Sequence, residues 1–296
     1  MNAPRASVLI PTHNHSQTLP LTVASVLAQT VSDLEVIVIG DGVTDHIRAA
    51  AQRLVEADPR VRFLDLPKGD HHGERHRHAA IEVARSNAIF YLCDDDLLLP
   101  EHVSDLLDLL NRHNFVQCQN SYITPDGILR LLHSDLSNPE VVKWHVTERP
   151  FFNSTSLTGT AHARNFYIAV NHPWRPPHDG CPPDIYQWRR LMRHPDFSGA
   201  TSSRVTALQL PTSMGREDSD QAERLAELEQ WADLVRQPDA QARIDALVIQ
   251  AAFDQLREAS LSSERLRRSL RREWQRPTRR LVRWLRARRR QPGPPG

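Results

Sequence analysis

The sequence predicts an α/β fold in which a mostly parallel sheet is flanked by helices on both faces and followed by a helical C-terminal extension. Short aliphatic and β-branched runs alternate with segments of helical spacing through about the first hundred residues, the pattern of βαβ units. Each of those runs closes on a polar loop rich in Gly, Asp or Asn. Beyond residue 220 the strand pattern gives way to long stretches with apolar residues three and four apart.

Residues 6–10 form a β-branched run that stops at Pro11, and the polar loop 12–16 leads into a helix carrying Leu19, Val23, Val26 and Leu27. A second strand, 34–39, closes on Gly40, Asp41 and Gly42 and is followed by a helix over 47–55. A third strand, 61–66, precedes a helix over 73–84. The fourth strand, 89–93, delivers Asp94, Asp95 and Asp96 before a helix that begins near Pro100. Three adjacent carboxylates repel one another and desolvate badly unless a cation shares them. A hard divalent ion suits them, because Mg²⁺ takes one or two carboxylates and completes its shell with water and phosphate oxygens. The same run also reads as a solvated acidic turn that caps the next helix. What favours the ion is convergence: strands of a parallel sheet end on one edge, where ligands bind. The loops 12–14, 40–45 and 94–96 are therefore expected in a single cleft of nucleotide-binding type.

The second half is less regular. Strands are expected over 115–119 and 128–132, joined by a turn at 124–127. Residues 133–160 read as polar and irregular, with Trp144, Phe151 and Phe152 as packing anchors, and a helix is expected over 162–170. Proline density forbids regular structure from 172 until Pro183, after which Asp184 opens a helix with Ile185, Trp188 and Leu191 on one face. Asp184 reads by itself as a helix cap. Trp174 and Trp188 are candidates for stacking on a ligand or for the core. A last strand over 205–210 precedes a helix over 221–234 and a long helix from about 244 that Pro277 is expected to break.

Composition narrows the classes. The chain of 296 residues carries a net charge of +1, yet 13 Arg and 2 Glu between Glu264 and Arg290 give that segment +11 and leave about −10 on the rest. Three cysteines, Cys93, Cys118 and Cys181, lack disulfide or zinc spacing and read as reduced thiols. No signal peptide or membrane-spanning run is visible, so a cytoplasmic protein is expected. In the tail 277–296, Leu281, Trp284 and Leu285 share one face among arginines, which suits an anionic membrane surface at its inner face better than nucleic acid.

The stretches 7–45, 73–84 and 91–103 resemble a family 2 glycosyltransferase of the GT-A type, with its Rossmann-like sheet. That resemblance implies an inverting transfer of a sugar from a nucleotide-diphosphate sugar to an acceptor hydroxyl, dependent on Mn²⁺ or Mg²⁺. It places Pro11, Thr12 and Asn14 along the nucleotide, Asp41 against the base, Arg77 at the phosphates, Asp94 at the ribose and Asp95 at the metal, with Asp96 as the alternative. It makes Asp184 the catalytic base, with Asp179 next. The acceptor is expected to be a carbohydrate, lipid-linked or other hydroxyl compound. The chain is expected to divide into a transferase domain over 1–215, with a nucleotide-sugar half at 1–112 and an acceptor half at 113–215 as the resemblance implies, and, from helical spacing and charge, a helical extension over 216–276 and the basic tail over 277–296. Departures from the family pattern are Gly40, where another Asp is frequent, and Cys93, His13 and His78. They leave a non-catalytic nucleotide-binding or scaffold module as the alternative. The histidines His71, His72, His76 and His78 are expected to line the phosphate side of the cleft or to be exposed.

Overall fold

The computed structural model describes residues 3–15, 17–132, 134–147, 153–177 and 180–288, with side chains described as far as Arg267. Phe151, Phe152, Asp179, the side chains of Leu281, Trp284 and Leu285, and all residues after Arg288 lie outside what is described. Two compact units divide the chain, Met1–Val248 and Ile249–Gly296.

In chain order the elements are β1 (Ala6–Thr12), α1 (Leu19–Leu27), β2 (Leu34–Asp41), α2 (Asp45–Ala57), β3 (Val61–Leu66), α3 (Glu74–Val83), β4 (Ala88–Tyr91), β5 (Leu97–Leu98) and α4 (His102–Leu110). They continue with β6 (Phe115–Gln117), β7 (Ser121–Ile123), β8 (Leu129–Leu131), α5 (Pro139–Thr147), β9 (Thr160–Ala163), α6 (Arg164–Val170) and α7 (Pro183–Met192). The last are β10 (Gly199–Thr201), β11 (Ala207–Leu208), α8 (Gln221–Val235) and α9 (Ala240–Arg288).

The central sheet has the order β10-β6-β9-β4-β1-β2-β3, parallel throughout except that β9 runs against both its neighbours. Its central strands are buried on both faces, which is why they read as unbroken apolar runs. Alternate side chains feed two cores. Val8, Ile10, Val36, Val38 and Phe90 join Val23 and Val26 of α1 and Val103 and Leu106 of α4. Leu9, Ile37, Ile39, Ile89 and Tyr91 join Ala80 and Ile81 of α3, Tyr167 of α6 and Trp188 of α7. Helices thus cover both faces, as the alternation of elements predicts.

Strand order also fixes where a ligand goes. From β1 the chain steps outward to β2 and β3, then returns to lay β4 on the opposite side of β1, so the topology reverses between β1 and β4. A crevice opens at such a reversal, at the carboxyl ends of the strands. Leu9 is level with Tyr91 and Thr12 with Gly40, so Thr12 and Asp94, each three residues further on, leave the sheet at one height beside Asp41.

Several local expectations change. The stretch 133–160 contains a helix, α5, whose first residue is Pro139, a position proline favours because its missing N–H has no intrahelical partner there. Trp144 on that helix is 44% exposed. The helix expected from 162 is preceded by β9, and only Ala207 and Leu208 of the expected last strand pair, against β5. Helix α9 runs through Pro277 to Arg288. Proline removes one hydrogen bond and kinks a helix, and the flanking Arg, Leu and Gln are strong enough helix formers to carry it across. No helix among the described residues is long and apolar enough to cross a membrane.

Candidate active site

The switch point opens into a cleft of about 720 Å³ lined by Pro11, Thr12, Asn14, Asp41, Arg77, Asp94, Asp95, Asp96 and Asp184. All nine site residues expected from the sequence therefore face one space, from loops on both halves of the sheet. Its size is that of a small-molecule site.

On the nucleotide side, Asp41 ends β2 with its carboxylate nearly buried. Its Oδ1 accepts from the Gly69 N–H at 2.6 Å and its Oδ2 from Lys68 Nζ at 2.5 Å. Burial pushes this carboxyl up, and the Lys68 and Gly69 hydrogen bonds outweigh burial to hold it below the ordinary range. His13 Nδ1 donates to the Asp41 carbonyl at 2.7 Å and ties the first two loops together. Gly73 lies against the carboxylate: it takes φ +65°, and a Cβ there would sit 2.7 Å from Asp41 Cγ. We expect Gly73→Ala to lower unfolding stability by about 1–2 kcal/mol for the left-handed backbone alone and to displace Asp41. Urea unfolding and nucleotide affinity check this; an unchanged urea midpoint would contradict it.

Arg77, on α3, is 8% exposed, so it is not a surface charge. Its Nη1 donates to the His72 carbonyl at 3.1 Å, its guanidinium lies 5.2 Å from the Trp174 ring centroid, and its Nε has no partner. Burial pushes its pKa down, a cost that an anion in the cleft would relieve. Trp174 and Trp188 are each 1% exposed and meet edge to face at 5.1 Å, with Trp174 Nε1 donating to Tyr91 OH. They are core residues under the site, not stacking surfaces. Of the histidine cluster, His71 and His72 line the cleft, while His76 reaches the Pro67 carbonyl and His78 the Tyr167 hydroxyl.

The acidic loop is held from several directions. Thr18 and Thr22, one turn apart on the α1 side, donate to the carbonyls of Asp94 and Asp96, each at 2.9 Å. Asp94 Oδ1 pairs with His15 Nδ1 at 2.9 Å, and this hydrogen bond raises the His15 pKa. Asp95 Oδ2 accepts from Arg224 Nη2 of α8 at 2.5 Å. Asp96 is committed on both oxygens, to Thr158 Oγ1 at 2.5 Å and to the Leu210 N–H at 2.9 Å. Burial and then the adjacent charge push Asp95 and Asp96 up. Among the described residues, the group with metal-ligand spacing is His15, Asp94 and Asp95, whose ligand atoms lie within 4.8 Å of one another.

Across the cleft, Asp184 sits in the first turn of α7, half-buried, with Oδ1 accepting from the Ile185 N–H at 2.8 Å. Burial raises its pKa, against the Ile185 hydrogen bond and the nearby charge of Arg77. A raised carboxyl is a stronger base than an exposed one. His15, Lys68, Thr158 and Arg224 complete the site and were not singled out by the sequence.

The geometry has counterparts. A family model described as "Glycosyl transferase family 2" matches residues 7–169. Chondroitin synthase of Pasteurella multocida (strain Pm70) is 33% identical over 129 residues, which is 43% of this chain and 13% of that protein. The chain thus matches a small part of that relative's length. Among solved structures, S. aureus TarS 1-349 in complex with UDP-GlcNAc superposes with a TM-score of 0.55 at 14% identity, covering 84% of this chain and 71% of that one. The mannosyltransferase PcManGT from Pyrobaculum calidifontis in complex with GDP-Man and Mn²⁺ gives 0.51 at 16% identity, covering 85% and 76%. At those identities the likeness is one of fold.

Proposed function

Because the chain belongs to glycosyl transferase family 2 and is a glycosyltransferase, we propose that it moves a sugar from a nucleotide-diphosphate sugar to an acceptor hydroxyl, with inversion and with a divalent cation at the acidic loop. One observation carries this reading: Asp41, Arg77, Asp94, Asp95 and Asp184 all open on the same cleft. Neighbours solved with UDP-GlcNAc and with GDP-Man support the donor class.

In this reading Asp41 accepts N–H donors from the base edge, which a planar carboxylate does well once Lys68 yields one oxygen. Pro11, Thr12 and Asn14 border the nucleoside, and Asp94 faces the ribose. Arg77 brings its unspent N–H to the diphosphate, where negative charge grows as the sugar leaves. The residues present fit a cation: two carboxylates and an imidazole converge, and burial pushes the Asp95 carboxyl up, a strain that positive charge reverses. His15, Asp94 and Asp95 would hold Mn²⁺ or Mg²⁺, which when bound supplies charge neutralisation to the departing diphosphate. Asp184 takes the proton from the acceptor hydroxyl as that oxygen attacks the anomeric carbon from the side opposite the diphosphate.

A panel of nucleotide sugars, assayed with Mn²⁺ and Mg²⁺ for release of nucleoside diphosphate, tests the proposal, with the anomeric configuration of the product read by NMR. We expect one donor to be consumed, with inversion. A product of retained configuration would remove the single-displacement role of Asp184.

A further inference from the structure

We propose that the second unit, Ile249–Gly296, carries a membrane-binding helix face whose partner is an anionic lipid surface. The observations are independent of the sugar-transfer site. On α9, Ile249, Phe253 and Leu256 are 58%, 63% and 65% exposed, and their spacing of four and three puts them on a single stripe. Leu261 and Leu266 on the same helix are 52% and 62% exposed. Isolated apolar side chains on a surface mean little, but a row of large ones marks a binding face.

Charge selects the occupant. Within the same helix the segment 264–288 carries 11 Arg and 2 Glu. A second copy laid parallel along α9 would set one arginine run against the other, and like charges at helix-neighbour distance repel. Laid antiparallel, it would put the Ile249–Phe253–Leu256 stripe opposite arginines. An anionic bilayer surface satisfies both ends: the apolar stripe enters the boundary between headgroups and acyl chains while arginines meet the phosphates. At 1.5 Å per residue, Phe253 and the first arginine of the run are about 18 Å apart along the helix, close enough to lie on one surface together.

Flotation of the full chain with vesicles of phosphatidylcholine containing about 30% phosphatidylglycerol, against pure phosphatidylcholine, tests this. We expect partitioning into the anionic vesicles, weaker by about tenfold or more into neutral ones. The double variant F253E/L256E should lose about tenfold in partitioning at an unchanged thermal midpoint, since both side chains are exposed. A wild-type chain that stays unbound at anionic vesicles overturns the proposal. So does a double variant that floats as the wild type does, because charge alone would then hold the chain. A wild-type dimer by light scattering that becomes monomeric in the double variant would assign the face to a second copy instead.

Discussion

Asp184→Asn is expected to lower kcat by about 10²–10⁴-fold, the range of a positioned general base, with little change in donor affinity. The substitution keeps the side chain's shape and its acceptor for the Ile185 N–H, so the first turn of α7 stays formed. What it removes is the basic oxygen facing the cleft. The pH dependence has a definite sign. Burial raises the Asp184 pKa, only the ionised form accepts a proton, and activity is therefore lost as pH falls through that raised value. The acid limb of kcat/KM should lie above the ordinary carboxylate range and be absent from the residual rate of Asp184→Asn. Donor hydrolysis is the control: if the variant turns over acceptor at the wild-type rate, the base lies elsewhere, and Asp179 is the next candidate.

Much of this site was legible because a parallel sheet converts sequence order into position. Once four strands were placed, their polar ends had to share an edge, which brings the loops carrying Asp41, Asp94 and Asp95 together, while the role of each is what the family resemblance implies. The proline-rich approach that makes a helix begin at Pro183 puts Asp184 in its first turn, and its place in the site is what the family resemblance implies. The insertion of β9 between β4 and β6 was hidden, since Thr160–Ala163 is four residues long, nearly all buried, and so shows no alternation. Arg224 was hidden for another reason. It lies among other charged residues of a helix, and only its long-range pair with Asp95 reveals a role. One local signal existed: Asp220 and Glu223 form a capping box, which starts α8 at Gln221 and puts Arg224 within its first turns. His15 lay inside a loop already marked as polar, but nothing local says that its ring meets Asp94.

The second large effect distinguishes Asp95 from Asp96. Asp95→Asn should lower release of nucleoside diphosphate by about 10³-fold or more, the several kcal/mol that a bound cation contributes at each tenfold per 1.4 kcal/mol. It should also abolish saturation by Mn²⁺ in a binding titration, while the amide oxygen still accepts from Arg224. Asp96→Asn should behave differently. Both Asp96 oxygens are spent inside the fold, on Thr158 and on the Leu210 N–H, and an amide can accept through only one of them. Leaving the Thr158 hydroxyl or the Leu210 N–H unpaired costs about 1–3 kcal/mol of stability, so the Asp96 variant should melt earlier yet keep its response to Mn²⁺. Chelation by EDTA should reproduce the Asp95 result in the wild-type enzyme and be reversed by added Mn²⁺. The opposite pattern, with cation response lost in Asp96→Asn and kept in Asp95→Asn, would transfer the cation to the buried carboxylate and require Thr158 to release it.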